Sequence, residues 1–369
     1  MTGNSIGKEF TVTSFGESHG KLIGTVVDGC PAGLAFSEAD VKTDLDRRIP
    51  LQKPEIVSGR MEKDNPQILS GVFGGFTTAA PICMVVENKE TRSSDYQSIK
   101  NLPRPAHADY TARFKYGGFN DYRGGGRFSG RVTVATIMAG ALAKKLLNRF
   151  DVDVLAYTSS IGTVKMSRMQ DPQEIRKRRY ESAVRCPDLQ CTEQMEEAIL
   201  GAKKAGESLG GTVECLILNV PPGVGEPLFD ALDADLAKSL FSIPAVKGVE
   251  FGAGFALTEL KGSEANDPFR IEEEKVVTAT NLAGGILGGI SSGMPITIRI
   301  AIKPTPSIAK EQQTVNLSKM ENAIIKVGGR HDPCVVPKAV PVVEAAAAIT
   351  LADHMIRAGL IPKVIKRKD

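Results

Sequence analysis

Three of the four histidines lie in loops rich in glycine, proline or arginine. His19 stands in "FGESHGKLIGTVVDG" after Ser18, with Gly16 and Gly20 close by, His107 in "RPAHAD", and His331 in "GGRHDPC" beside Asp332. Imidazole changes charge near neutral pH, so a histidine next to a bound anion is placed to act as a general acid. The anion site has its own signature. Arg104, Arg113, Lys115, Arg123, Arg127 and Arg131 fall in one stretch, against Asp109 and Asp121, with Gly117, Gly118, Gly124, Gly125 and Gly126 between them. Glycine lets backbone N–H groups line an anion nest, and the arginine fork suits phosphate and carboxylate. "RGGGRFSGR" runs into an apolar helical stretch at the end whose dipole favours anions. These residues predict a small polyanionic ligand, although a charge cluster alone also reads as a solvated loop. Asp332, among arginines, is a base or an arginine holder, and "KPTPS" at 303–307 offers Thr305 and Ser307 between two prolines. His354 falls inside a helical pattern and reads as structural.

Other classes are excluded. "RGGGR" lacks the spacing and distant acid of a dinucleotide fingerprint, and no phosphate-loop motif occurs. Net charge is +3, tryptophan is absent and aromatics are 5%, which argues against a nucleic-acid partner. No run of about 18 uncharged apolar residues or signal-like start is found, so no membrane partner is expected. The six cysteines are scattered without a C-x-x-C pair, which points to reduced cytoplasmic thiols and no metal site.

The elements that must position these loops show a repeat. "GVFGGFTTAAPICM" from Gly71 and "GILGGISSGMPITI" from Gly285 match without a gap. Apolar helices are predicted at 130–150 and 339–357, and a helix capped by Ser37 runs through Val41 and Leu45. Strands are predicted at 24–28, 67–73, 82–87, 213–219 and 294–302. Strands in runs favour an α+β antiparallel layered fold. One domain over 1–369 is expected, with related halves near 10–150 and 215–360 and a charged insert near 160–210.

"GESHGKLIGTVVDGCP", "GRFSGRVT" and "RHDPCVVPKAVPVVEA" resemble the three signature segments of the chorismate synthase family, and "DLDRRIP", "LPRPAHADY" and "GGILGGISSG" also match. The resemblance runs from about residue 4 to about 357. It implies a lyase that converts 5-enolpyruvylshikimate 3-phosphate to chorismate and phosphate by 1,4-anti-elimination, the last step of the shikimate pathway. It also implies reduced FMN without net redox change, an internally duplicated sandwich with helices between two antiparallel sheets, and a homotetramer. NADPH enters only indirectly, through an external flavin reductase, or directly if the chain is bifunctional.

By motif position the resemblance gives Arg48, Arg104, Arg131 and Arg330 to the substrate anions. It gives His19 to the departing phosphate, His107 to the flavin N1–C2 edge, and Asp332 to proton removal at flavin N5. Ser18 and Ser129 become hydroxyl relays. Flavin contacts are implied for Arg127, Phe128, Ser129, Pro244, Ala245, Gly288, Lys303, Pro304, Thr305, Pro306, Ser307 and Arg330. Three departures stand out. Many relatives carry an arginine where only Lys53 stands, the family often has asparagine at Pro244, and "RFSG" replaces a version with smaller residues. A non-catalytic anion- or RNA-binding protein is the competing reading, and a flavin oxidoreductase is a second.

Overall fold

Both copies of the glycine-rich repeat fold as tight hairpins. Val72–Phe73 pairs antiparallel with Phe76–Thr77 across Gly74 and Gly75, and Ile286–Leu287 pairs with Ile290–Ser291 across Gly288 and Gly289. All four turn glycines have positive φ (57°, 80°, 60° and 81°), the conformation a two-residue hairpin of this hand requires. The computed structural model describes residues 3–49, 53–56, 64–89, 100–167, 171–328 and 331–366.

The chain opens with β1 (Ser5–Ile6), β2 (Thr11–Gly16), β3 (Leu22–Asp28) and α1 (Glu38–Arg47), then β4 (Gln67–Ile68), β5 (Val72–Phe73), β6 (Phe76–Thr77) and β7 (Ile82–Glu87). Helices α2 (Asp109–Lys115) and α3 (Thr133–Asn148) lead to β8 (Asp153–Ile161), β9 (Val164–Lys165), α4 (Pro172–Arg178) and α5 (Leu189–Lys204). Next come β10 (Gly211–Leu218), α6 (Leu232–Phe241), β11 (Val246–Phe251), α7 (Gly262–Ala265), β12 (Phe269–Glu272) and β13 (Lys275–Thr278). The chain ends with β14 (Ile286–Leu287), β15 (Ile290–Ser291), β16 (Ile296–Ile302), β17 (Glu311–Asn316), β18 (Glu321–Lys326) and α8 (Val336–Arg357).

This is an α+β fold of antiparallel sheets and helices. One five-stranded sheet has the order β1-β2-β3-β7-β4 and the other β11-β16-β10-β8-β9. Helix α3 packs on β2, β3 and β7, α8 packs on β8 and β10, and the two helices pack on each other. Burial explains their composition. Ala139, Ala141 and Ala143 of α3 and Ala345 to Ala348 of α8 are buried, so neither helix has a polar face to spare. The apolar stretch of α8 is 94% buried inside the protein, as a core helix is.

Local signals worked as their chemistry dictates. Ser37 and Asp40 form the expected capping box at α1. The strand expected over 67–73 is instead split into β4 and β5 at Gly71, whose φ is +80°. Helix α8 begins earlier than 339 because Pro337 is tolerated in its first turn. The charged segment after residue 160 forms β9, α4 and α5, and β8 before it is a full member of the second sheet.

The two central helices meet at Gly140, where an added Cβ would lie 2.2 Å from the Cβ and 2.5 Å from the Cα of Ala345. Gly140→Val should therefore push α8 off α3 and cost roughly 1–3 kcal/mol or more, the usual cost of overpacking. Chemical denaturation reads this, and an unchanged midpoint would show that the helices can part freely.

Among the described residues, Glu344 is the most deeply buried carboxylate, set between these layers. It accepts from the Ala156 N–H (3.0 Å), Arg179 Nε (3.1 Å), Tyr180 hydroxyl (2.9 Å) and Lys144 Nζ (3.4 Å). Burial pushes its pKa up, but the Arg179 and Lys144 charges and the Ala156 N–H together lower it to about 2. A depressed carboxyl stabilises above its unfolded pKa and loses that contribution as pH falls toward the folded one. Stability should thus decline more steeply between about pH 4.5 and 2 in the native chain than in Glu344→Gln, measured by urea melts across that range.

Candidate active site

Three consecutive glycines build the centre of the site. Gly124, Gly125 and Gly126 all have positive φ (59°, 83° and 53°), so the "RGGGR" segment makes a turn that side chains would strain. A Cβ on Gly124 would fall 2.3 Å from Cδ2 and 2.5 Å from Nε2 of His19. A Cβ on Gly125 would fall 3.3 Å from Cε1 and 3.4 Å from Nε2 of His107. The bare backbone therefore wedges between two imidazoles that are 88 residues apart in sequence, counting from 19 to 107. Ser18 and His19 are both buried in the loop between β2 and β3, and the Ser18 N–H donates to Gly126 O (3.3 Å).

Around His107 the donors converge on Asp109, the first residue of α2. Arg104 reaches it through Nε (2.8 Å), NH2 (2.9 Å) and its backbone N–H (3.1 Å), and His107 Nδ1 lies 2.6 Å from Oδ1. Burial acts to raise the Asp109 pKa, yet the bonds from Arg104 and His107 outweigh it and hold the carboxyl well below the usual range. Arg104 also donates from NH1 to Ser307 Oγ (3.1 Å), and Lys303 donates to Ala106 O (2.6 Å). The 303–307 loop is thereby fastened to the His107 loop. Thr305 donates to Asp332 O (3.1 Å), and the Ser208 hydroxyl donates to Thr305 O (2.7 Å). Asp332 takes both oxygens to Lys338 Nζ at 2.7 Å, from the first turn of α8.

A second cluster adjoins the His19 loop. Arg131 pairs with Asp64 at 2.7 Å, and Arg48 approaches the same carboxylate at 3.9 Å. Arg131 Nε donates to Asn88 Oδ1 (3.2 Å), while the Asn88 amide donates to Glu17 O (3.0 Å) and Gly20 O (2.9 Å). One asparagine thus ties the arginine to the turn that carries His19. Ser129 caps the short helix at 130–132, its hydroxyl accepting from the Arg131 N–H (3.2 Å).

The structure brings Ser18, His19, Arg104, His107, Ser307, Lys303, Pro304, Thr305, Pro306 and Asp332 into linked loops. Arg48, Ser129 and Arg131 lie on the neighbouring cluster. Ala245 joins through its carbonyl, which accepts the Lys303 N–H (2.9 Å), and Pro244 precedes it. Arg127 commits its guanidinium to Asn4, Ser14 and Gly16, four bonds of 2.9 to 3.2 Å that brace β2. Phe128 is partly exposed. Gly288 lies on the β14–β15 turn, where a Cβ on the neighbouring Gly289 would meet Ala231. Arg330 lies outside the described residues. His331 is half-buried, its Nε2 2.8 Å from Gly328 O, and His354 is buried against Asp235 (3.0 Å), as a structural histidine is. Lys53 pairs with Glu196 of α5, so its ammonium is committed to that carboxylate. Asp64, Asn88 and Lys338 carried no sequence signal, since their partners are distant or of unremarkable type. Asp109 was legible only as a counter-charge.

Beside this arrangement opens a cavity of about 750 Å³, lined by Arg104, His107, Tyr110, Thr111 and residues of β17 and β18. Buried histidines, hydroxyls and cations around a bare backbone turn can bind an anion, supply a proton to it and exclude water.

Comparison with known proteins agrees. The chorismate synthase family model matches residues 10–356. A chorismate synthase of Dehalococcoides mccartyi is 52% identical over 99% of this chain and 100% of its own length, and one of Korarchaeum cryptofilum is 53% identical over 97% and 98%. A solved structure titled "Crystal Structure of Chorismate Synthase" superposes with a TM-score of 0.75 at 30% identity, covering 96% of this chain and 93% of the other. From its signature loops to its fold, the chain belongs to the chorismate synthase family.

Proposed function

We propose that this chain converts 5-enolpyruvylshikimate 3-phosphate to chorismate and phosphate with the help of reduced FMN. One observation supports the reading above others: the glycine turn at 124–126 holds its backbone against His19 on one side and His107 on the other. The elimination removes phosphate from one end of an allylic system and a proton from the other. It needs a group for the leaving anion and a separate group for the electron-rich partner, in one water-poor site.

His19 binds and protonates the departing phosphate, with Ser18 as a hydroxyl relay beside it. Arg48, Arg131, Arg104 and Arg330 share the phosphate and the two carboxylates of the substrate. Ser129 sets the start of the segment that aims Arg131. The residues present fit a flavin: a glycine turn without side chains lies beside His107, and the 303–307 loop is fastened to the His107 loop through Arg104–Ser307 and Lys303–Ala106 bonds. Arg127, Phe128, Ser129, Pro244, Ala245, Gly288, Lys303 to Ser307 and Arg330 would hold it, Arg127 by bracing β2. Bound reduced FMN supplies electron density that eases C–O cleavage. His107 serves its anionic edge, and Asp332, held by Lys338, accepts the proton that must leave.

The family's duplicated sandwich and its homotetramer are part of the same proposal. The matched hairpins β5–β6 and β14–β15 support two related halves. Phe119 and Phe229, 96% and 93% exposed, are surfaces that further copies would cover. We place the enzyme in the cytoplasm, with flavin reduced by an external reductase or, in a bifunctional form, by NADPH. Family membership leaves the non-catalytic and RNA-binding reading without support.

Mixed anaerobically with chemically reduced FMN and the enolpyruvyl phosphate, the purified protein should release chorismate and phosphate in equal amounts and leave the flavin reduced. An absence of product would overturn the proposal. His107→Ala and Asp332→Ala should lower turnover far more than melting temperature. Gly124→Ala should displace the His19 ring and cost about 100-fold in turnover, the scale of a 1 Å misplacement; a rate near that of the native chain would free the turn from its positioning role.

A further inference from the structure

We propose that Asp109 is a positioning residue that fixes the ring of His107 with its proton on Nδ1 and its lone pair on Nε2, and locks Arg104 beside it. This rests on the part given to His107 above. The argument is one of donors and acceptors. An ionised carboxylate only accepts, so His107 Nδ1, 2.6 Å from Asp109 Oδ1, must carry the hydrogen. A guanidinium only donates, so the ring nitrogen that receives Arg104 NH2 must be the one without hydrogen. Arg104 NH2 lies 3.1 Å from Nδ1 and 3.2 Å from Nε2, so it does not choose between them by distance. Asp109 makes the choice: with the Nδ1 hydrogen committed to the carboxylate, Nε2 is the nitrogen left to accept from Arg104.

The carboxylate is also saturated. Oδ1 takes Arg104 NH2 and His107 Nδ1, while Oδ2 takes Arg104 Nε and the Arg104 backbone N–H. Asparagine in its place offers one acceptor oxygen, and its amide would face donors. The consequence lies at the other ring nitrogen. Nε2, 3.4 Å from where a Cβ on Gly125 would stand, is left able to receive a proton, and Asp109 can balance the imidazolium that would then form. Sequence alone hides this, because "RPAHAD" reads as a turn with a counter-charge.

The test uses the intact protein with ¹⁵N-labelled histidine, practical because the chain has only 4 histidines. Solid-state ¹⁵N spectra of the protein without flavin should show His107, identified by its loss in His107→Ala, as the Nδ1–H tautomer. In Asp109→Asn that population should move toward Nε2–H. Finding Nε2–H in the unmodified protein overturns the proposal, whatever the variants do. In anaerobic turnover, Asp109→Asn should lower kcat by roughly 100-fold, the low end of what a positioned acid–base group supplies. In the His107→Ala background the same change should cost clearly less, leaving only the loss that comes from releasing Arg104, which should appear in KM. Equal losses in both backgrounds, or native turnover in Asp109→Asn, also overturn it. Should the unmodified protein form no chorismate, the functional reading fails, while the tautomer measurement still decides this one.

Discussion

The site depends on a backbone that carries no side chains where two imidazoles converge. At Gly124 a single methyl group would overlap His19, and at Gly126 it would strike Asp121 O at 2.1 Å. Glycine is required there for space as well as for φ. Because the turn runs directly into the short helix at 130–132 and then α3, its position is set by the most buried helix pair of the molecule. Packing of α3 on α8 thus reaches the chemistry through rigid connections. Asp332 and Lys338, at the entry to α8, are referred to the same pair from the other side.

Electrostatics imposes the second constraint. Gathering arginines for an anion is unfavourable unless each has a counter-charge within the fold. Asp64 balances Arg131 and Arg48, Asp109 balances Arg104, and Glu344 balances Arg179 and Lys144. The first two of these carboxylates face the loops proposed to bind substrate, and the third lies in the layer between the sheets. The first two keep guanidiniums aimed without filling the space before them, as a preorganised site requires. Arg127 shows the opposite use of the same side chain. With four bonds to the N-terminal segment, it is spent on holding β2, and through β2 the loop of His19.

Much of this was legible in the residues. Histidines in glycine-rich loops, arginines spaced among glycines and an apolar helix after them point to an anion site by residue chemistry alone. The capping box at Ser37 and the buried helices followed from local rules, because each is decided by residues within a few positions of one another; the glycine-rich repeat was visible as sequence, though not that each copy is a hairpin. The signature segments also carried the family, whose membership the comparisons show. What could not be read is pairing at a distance. Asp64 lies 67 residues from Arg131 and Asn88 lies 43 from it, and nothing in their neighbours marks them. The split of the strand at Gly71 was hidden for a related reason, since only the paired strand decides which residues continue a ladder.

Lys53 illustrates how such a distant partner changes a functional reading. By sequence it stood where many relatives have an arginine, and its charge left an anion contact open. In the fold Lys53 is drawn to Glu196, and Lys203 from the same helix donates to Glu55 O (2.6 Å). Both bonds pull the segment after α1 onto α5. An ammonium is a compact point charge without the planar fork, so it serves an anion less specifically and a single carboxylate equally well. The substitution is thus consistent with a segment whose task is attachment. It leaves Arg48, at the end of α1, as the group of that region turned toward Asp64 and Arg131, and so ties the orientation of one proposed substrate arginine to the grip that α5 keeps on residues 53–56.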